Sequence, residues 1–254
     1  MIEKNSKNKK AQVAIFFIVA LVIVAIVALF FFIQRRGIIE QPQEFNPKSY
    51  IGLCAEKIVE SVVDKMLPTG GLIEPSNFRF YKDIKVPYFC QNINNYDPCI
   101  NQHPMILEEY RKQILNYTKP GIEKCFLDLK EEIESRKSSV EYGSLNMSVE
   151  LGDNTISIKL NKKTTITQGK DSVTVDNFDV DINNPLYDMA LVAMDITSGE
   201  ARNCNFEYTT YMILHKRWDI SKFALSDSTK IYTIKDIPSG KEMYIAERGC
   251  VMPS

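Results

Sequence analysis

Six cysteines are the residues of this chain best suited to covalent chemistry. All of them follow a long apolar segment near the start of the chain: Cys54, Cys90, Cys99, Cys125, Cys204 and Cys250. An even set of cysteines confined to one part of a chain is typical of a region that folds in an oxidising compartment. A metal site is not predicted, because the C-x-x-C spacing of such sites is missing. We therefore expect disulfides.

Local patterns favour three pairings among the many that six cysteines allow. Cys90 and Cys99 bracket the polar, turn-rich loop QNINNYDP, which a local disulfide closes easily. Cys54 and Cys125 face inward on two predicted amphipathic helices. Cys250 is placed to tie the C-terminus back, and Cys204 is its expected partner. The preferred set is Cys54–Cys125, Cys90–Cys99 and Cys204–Cys250.

Two other groups of residues could do chemistry. Asp176, Asp179 and Asp181 cluster in VDNFDVDIN, but a calcium loop needs a tight turn with glycine, and this segment is extended. We interpret these carboxylates as the solvated face of a strand. His103 and His215 are the only histidines, and no G-x-S-x-G, H-E-x-x-H or cysteine-histidine pattern accompanies either one. The sequence predicts no catalytic residue, metal ligand or cofactor, so we expect no enzyme.

The apolar stretch over residues 11–34 organises the rest of the chain, since it contains no charged residue, proline or glycine. At about 1.5 Å per residue, a helix of this length crosses a hydrocarbon core of about 30 Å. A cleaved secretory signal is the alternative, but its apolar region is usually only about 7 to 15 residues long. We predict a transmembrane helix over residues 11–36, because Gly37, Pro42 and Pro47 interrupt any longer helix.

Charges on either side of this segment predict its direction in the membrane. Lys4, Lys7, Lys9 and Lys10 precede it, whereas Arg35 and Arg36 follow it. The positive-inside rule then leaves residues 1–10 in the cytoplasm, with 37–46 as a linker. The cysteines and two glycosylation sequons, which begin at Asn116 and Asn146, agree because all lie after the segment. The expected protein is single-pass, with its head outside the cell membrane.

The start of the apolar helix, Lys9-Lys10-Ala11-Gln12-Val13, resembles the class III signal of archaeal type IV prepilins. In that family a basic pair, a small residue and a glutamine mark the peptidase site. The resemblance implies cleavage between Ala11 and Gln12 and packing of the helix into a filament. This chain departs from the family pattern at Phe16, where many pilins carry an acidic residue. An ordinary signal anchor preceded by basic residues is the alternative.

The layout as a whole also resembles a group of archaeal single-pass envelope proteins of unknown function. The residues that carry this resemblance are the Lys-Lys-Ala-Gln-Val start, the Cys54 helix, Gly70-Gly71-Leu72-Ile73-x-Pro75, and Asn184-Pro185-Leu186. It implies a location and an architecture, and it supplies no catalytic motif.

The head is predicted to be α+β, with a period change at Ser138-Ser139 that suggests two regions, 47–139 and 140–254. The first region reads as mainly helical and membrane-proximal, with a short hairpin in which Pro87 places the second arm at a sheet edge. Its helices are expected at 47–66, 105–117 and 119–136, and its hairpin at 77–91.

The second region reads as an antiparallel β-meander with a helix packed across it and a C-terminal hairpin. Gly199 is expected to end that helix, and the stretch 204–218 leans towards a helix. The expected strands of the meander are 140–151, 154–161, 163–168 and 172–182; the helix is 184–198; and the hairpin strands are 230–234 and 242–247.

Charge excludes a nucleic-acid partner, because 31 basic and 32 acidic residues leave a net charge of -1. We favour a structural or adhesive envelope component, pilin-like in character, whose partners are the lipid bilayer and either further copies of itself or other envelope proteins. An anchored ligand- or peptide-binding module is the alternative, and an envelope hydrolase is less favoured. The binding alternative relies on aromatic residues, namely Phe78, Phe80, Tyr81, Tyr88 and Phe89.

Overall fold

A computed structural model describes residues 18–31 and 46–249. The chain divides into two compact units between Asn46 and Pro47. In the first unit, residues 18–31 form helix α1, whose side chains are exposed. The rest of the transmembrane helix predicted over 11–36 lies outside the described residues. Within the described part, no helix combines the length and the apolar character that a membrane crossing needs.

The second unit begins with a pair of packed helices. Helix α2 spans Pro47–Met66, as the sequence predicts, and helix α3 spans Ile106–Ser135. Every fourth side chain of α2 is buried: Ile51, Ala55, Val59 and Val63. This spacing places one buried apolar stripe along the helix, and α2 packs against α3.

The prediction of two helices at 105–117 and 119–136 is wrong, because α3 continues through Pro120. Proline removes one hydrogen-bond donor from a helix and costs about 3 kcal/mol in its interior. Buried contacts on both sides offset this cost, since Ile114 and Ile122 are fully buried. Gly121 also allows close packing, because a Cβ at that position would lie 3.1 Å from Ile58.

A five-stranded antiparallel sheet follows, organised around one long strand, β6. Strands β4 and β5 pair with β6 along one side, and β7 and β8 pair with it along the other. The strands are β4 (Ser139–Tyr142), β5 (Asn146–Gly152), β6 (Thr155–Gln168), β7 (Asp171–Asn177) and β8 (Val180–Asn183).

The antiparallel arrangement is confirmed, but the predicted strand boundaries are wrong. Lys162 and Lys163 form a bulge instead of a turn, because the register shifts between Asn161 and Thr164 without ending β6. The predicted strand 172–182 is also divided into two strands, β7 and β8. The division lies at Phe178, whose side chain is buried. Burial of this one large ring outweighs continued strand pairing.

A six-stranded sheet forms the other layer, in the order β1-β2-β11-β10-β9 with the short β3 paired to β2. All pairs are antiparallel except β2 with β11. The strands are β1 (Phe78–Tyr81), β2 (Ile84–Gln91), β3 (Ile100–Asn101), β9 (Trp218–Ala224), β10 (Lys230–Asp236) and β11 (Glu242–Arg248). Both predicted hairpins, at 77–91 and at the C-terminal end, are confirmed.

The prediction that Pro87 lies on an edge strand is wrong, since β2 has β1 on one side and β11 on the other. The pairing between β2 and β11 begins at Tyr88, which lies opposite Ala246. Pro87 therefore precedes the parallel pairing, and its missing N–H leaves no gap in that ladder.

Helix α4, Leu186–Asn203, contacts strands of both sheets. The helix continues past Gly199, contrary to prediction. Glycine is needed there for close packing, because a Cβ would lie 2.8 Å from the ring of Phe206. The helical preference for 204–218 is also wrong in part. Only helix α5, Tyr208–Leu214, is helical, and Trp218 begins strand β9. The division of the head near residue 139 stays a prediction.

Candidate functional site

A cleft of about 580 Å³ lies at one end of the two sheets. The β5–β6 turn, the start of α4, the segment before β9 and the β10–β11 turn each contribute to its wall. The lining residues are Asn154, Asn183, Pro185, Arg217, Asp236, Pro238, Ser239 and Lys241. Amides, a hydroxyl and two prolines thus surround a small number of charges.

Arg217 is the central group of this cleft. Its Nε donates a 2.6 Å hydrogen bond to Asp236, and one terminal nitrogen donates a 3.2 Å bond to Asp188 on α4. The other terminal nitrogen donates to Asn154 in the β5–β6 turn, and Trp218 lies under the guanidinium with its ring centre 4.6 Å away. One cation therefore ties together both sheets and α4.

Asp236 is the buried partner of Arg217, with 2% of its surface exposed. Burial by itself raises the pKa of this carboxyl. The hydrogen bonds from Ser239, through both its hydroxyl and its backbone N–H, and from Arg217 outweigh burial and hold the pKa of Asp236 below its usual range. The carboxylate is thus kept charged inside the fold.

A second cluster of acidic residues lies deeper in the head and joins α4 to the six-stranded sheet. Glu200 and Glu247 are both fully buried. Lys230 donates a 2.6 Å hydrogen bond to Glu200, and the hydroxyl of Tyr232 donates to the other oxygen of the same carboxylate. Burial and this bond to Glu200 raise the pKa of Tyr232. Glu200 thus has a cation and a hydroxyl as partners.

Glu247 has fewer partners than Glu200. Thr197 donates a 2.8 Å hydrogen bond to Oε1, while Oε2 has no hydrogen-bond partner among the described residues. Burial, and after it the nearby charge of Glu200, raise the pKa of Glu247 well above its usual range against the effect of Thr197. A neutral acid is the form that this environment favours.

Glu247 also lies beside a disulfide. The sulfurs of Cys90 and Cys99 and a carboxylate oxygen of Glu247 all lie within 4.8 Å of one another. Within residues 18–31 and 46–249, this is the one group with the proximity a metal site needs. Because the two sulfurs are bonded to each other, they offer no thiolate to a metal ion.

The cysteines pair as the sequence suggests where the structure describes both partners. Cys54 and Cys125 form a disulfide across α2 and α3, with 6.1 Å between their Cα atoms. Cys90 and Cys99 form another, at 5.3 Å. Cys204 is disulfide-bonded too. Its predicted partner, Cys250, lies outside the described residues, as do Ala11 and Gln12 of the predicted processing site.

The two sequons occupy different surroundings. Asn116 is exposed on α3, but Thr118 of its sequon is fully buried and donates a hydrogen bond to the Ile114 carbonyl. Asn146 and Ser148 are both exposed on β5. Glycosylation itself stays a prediction at both positions.

The remaining polar residues singled out in the sequence lie apart from the cleft lining. Nδ1 of His103 is 2.8 Å from the Glu109 carboxylate, and His215 packs its ring against Tyr211. The carboxylates of Asp176, Asp179 and Asp181 are exposed.

The aromatic residues do not form one surface. Tyr88 and Phe89 are buried in the core. Tyr81 packs against Phe223 and Tyr244, whereas Phe78 packs against Phe80, which is 62% exposed. The peptide-binding alternative loses the continuous aromatic strip on which it relied.

Neither acidic cluster is predicted from the sequence, although Glu200 and Glu247 each carry a signal. Glu200 continues the apolar stripe of α4 that runs through Met189, Ala193 and Ile196. Glu247 continues the alternation of Met243 and Ile245 in β11. A carboxylate at a position where the pattern requires an apolar side chain indicates a buried, paired acid. Arg217 carries no such signal, because its partners are distant in sequence.

Comparison with protein-family models, with curated proteins and with solved structures finds no match to this chain. The resemblance to archaeal prepilins therefore depends on residues 9–13 alone. Any function has to be argued from the sequence and from the geometry of the head.

Proposed function

We propose that this chain is a single-pass membrane protein whose α+β head lies outside the cell membrane and serves as a structural or adhesive component of the envelope. The observation that carries the proposal is the pair of disulfides, Cys54–Cys125 and Cys90–Cys99, in a head that follows a charge-free segment. Disulfides persist in oxidising compartments and are rare in the cytosol. The apolar segment supplies the means of attachment.

The arrangement of charges in the cleft supports a structural role. Arg217 is neutralised by Asp236 and Asp188, and Lys241 donates a hydrogen bond to Asp64. The hydroxyl of Ser239 donates to Asp236, and no histidine lines the cleft to activate that hydroxyl as a nucleophile. These groups are used to hold the two sheets and α4 together.

Topology is the property that tests the proposal most directly. Protease added to intact cells should remove the head, while a cytoplasmic marker protein stays intact. A variant in which Lys4, Lys7, Lys9 and Lys10 are replaced by glutamine should place fewer heads outside, because these charges hold the N-terminus inside. A head that is protected from protease in intact cells and cleaved only after permeabilisation would contradict the proposal.

The pilin-like character is a separate hypothesis and needs its own measurement. A prepilin-type peptidase would leave a mature protein that starts at Gln12, without the four lysines. Mass spectrometry of the N-terminal peptide from the native cell distinguishes this from a permanent anchor. A peptide that starts at Met1 or Ile2 would exclude processing and leave the anchored head unchanged.

A ligand-binding module is the second candidate, favoured by the cleft itself. Its volume of about 580 Å³ lies in the range of about 300 to 1,000 Å³ that small-molecule sites occupy. Its amides and prolines suit an uncharged polar ligand. A panel of short peptides and oligosaccharides should then raise the unfolding temperature of the protein, and Asn183→Ala should reduce that rise. Asn177→Ala, outside the cleft, is the matched control.

A further inference from the structure

Strand β7 is an open edge of the five-stranded sheet. It pairs with β6 along one side, and no described strand pairs with its other side. None of its seven residues is buried, and Val173 is 62% exposed. Every other described strand longer than four residues buries at least one side chain. β7 thus presents both its faces and one backbone edge to its surroundings.

Natural proteins usually protect such an edge with lysine, proline or a bulge within the edge strand. β7 reads DSVTVDN and contains neither lysine nor proline, and its charged residues are Asp171 and Asp176. The one bulge nearby belongs to β6, since Lys162 and Lys163 of β6 face the single residue Asp176. The edge of β7 is therefore open to pairing with a strand that places hydrogen-bond donors opposite its two carboxylates.

The turn that joins β6 to β7 shows which backbone groups face outward. Gly169 and Lys170 form a two-residue loop, closed by the pair Gln168 and Asp171, and Gly169 has φ +63°. In such hairpins the closing pair is hydrogen-bonded, so Asp171 turns its N–H and C=O towards β6. The backbone groups of β7 then alternate, and those of the next residue point away from β6. Ser172 and Thr174 accordingly direct their backbone groups to the open side.

We propose that β7 pairs with β7 of a second copy of this chain, antiparallel about a two-fold axis at Thr174. In this register Thr174 faces its own copy. The other pairs are Val173 with Val175, Ser172 with Asp176, and Asp171 with Asn177. All seven residues of both strands are paired, and the outward backbone groups of Thr174 meet those of its copy.

The side chains are self-complementary in this register. The carboxylate of Asp176 meets the hydroxyl of Ser172, and that of Asp171 meets the amide of Asn177. The valines of the two copies pack together on one face. A slip of one residue in either direction places residues whose backbone groups face outward opposite residues whose groups face β6, so the hydrogen-bonded ladder is lost. One of these two slips also places Asp171 opposite Asp176, and like charges directly opposite each other destabilise a sheet. The two-fold symmetry makes each of these contacts occur twice.

This interface goes beyond the proposed function, because pairing of β7 does not depend on where the head is located. The test uses the full chain, purified in detergent, with Thr174→Cys. Mild oxidation should give a covalent dimer on a non-reducing gel, since hydrogen-bonded antiparallel partners have Cα atoms about 5.5 Å apart. That separation suits a disulfide.

Ser172→Cys is the matched control, because it lies on the same face of the same strand. In the proposed register its Cα atom is about 14 Å from its copy, because four residues of rise along the strand add to the spacing between the two strands. A disulfide requires a separation below about 7 Å, so this variant should stay monomeric on the gel. Equal cross-linking of the two variants, or of neither, would overturn the proposal.

A second substitution guards against chance cross-linking through an exposed thiol. Adding Val173→Lys to Thr174→Cys should abolish the covalent dimer, because lysine is the residue that natural edges use to prevent pairing. The side chain of Val173 is exposed, so the unfolding temperature of the head should not change. A dimer that persists with Val173→Lys, or a Thr174→Cys product that contains a different protein, would refute pairing between copies.

Discussion

Two buried carboxyl groups on the six-stranded sheet behave in opposite ways. Asp236, at the end of β10, and Glu247, in β11, are 2% and 0% exposed. The pKa of Asp236 is lowered, whereas that of Glu247 is raised. Burial acts in the same direction on both groups, so it does not explain the difference.

The hydrogen-bonding and charged partners of the two carboxyl groups explain why their pKa values move in opposite directions. Asp236 accepts hydrogen bonds from Arg217 and from two donors of Ser239. Glu247 accepts one from Thr197 and lies near a second carboxylate, Glu200. A buried acid stays charged where a cation and several donors compensate the lost hydration, and it holds its proton where they do not. Asp236 belongs to the Arg217 clasp, which consists of Arg217 and its partners Asp236, Asp188 and Asn154. Glu247 lies in surroundings that favour the neutral acid.

Removing Arg217 should have the largest effect, because it leaves Asp236 buried without its cation. Arg217→Met is expected to lower the free energy of unfolding by about 3 kcal/mol, at the lower end of the range for broken buried pairs. Arg217 is partly exposed, which limits the loss. Denaturant unfolding measures it. The double variant Arg217→Met, Asp236→Asn should recover part of the stability, and a single-variant loss below about 1 kcal/mol would contradict the clasp.

Opposite pKa directions predict opposite dependences on pH. The folded pKa of Asp236 lies below its unfolded value of about 3.9, so its contribution to stability is complete above that value and is lost as the pH falls through the folded pKa. The folded pKa of Glu247 lies above its unfolded value of about 4.3. Its contribution is complete below that value and is lost as the pH rises through the folded pKa.

The substitution Glu247→Gln isolates the contribution of Glu247 to the pH dependence of stability. Between the unfolded and the folded pKa of Glu247, the free energy of unfolding of the wild-type protein should fall by up to about 1.4 kcal/mol per pH unit. The variant should show no such fall. The variant should therefore gain stability relative to the wild type as the pH rises from 4 towards 8. Unfolding measured across that range checks this. Asp236→Asn is the control, since it should alter the dependence only at acid pH. A constant difference between wild type and Glu247→Gln would contradict a raised pKa.

The sequence predicts local elements of this head better than it predicts the clusters. α2, the two hairpins and the buried side of β6 follow from patterns within a few residues, such as Ile156, Ile158 and Leu160. The continuation of α3 through Pro120 depends instead on packing with distant residues, Ile58 being an example. The Arg217 clasp draws partners from three separate segments, and no local pattern encodes it.

The smallest expected effect concerns Tyr232, whose hydroxyl donates a hydrogen bond to the buried carboxylate of Glu200. Tyr232→Phe should destabilise the protein by about 1.5 kcal/mol, because hydrogen bonds to charged groups are the stronger kind. Tyr88→Phe is a matched control, since Tyr88 is also buried and its hydroxyl lies 3.1 Å from the neutral hydroxyl of Thr229. The control should cost about half as much. Equal losses in denaturant unfolding would mean that the hydrogen bond from Tyr232 to Glu200 contributes no more than a bond between two hydroxyl groups, which would contradict this prediction.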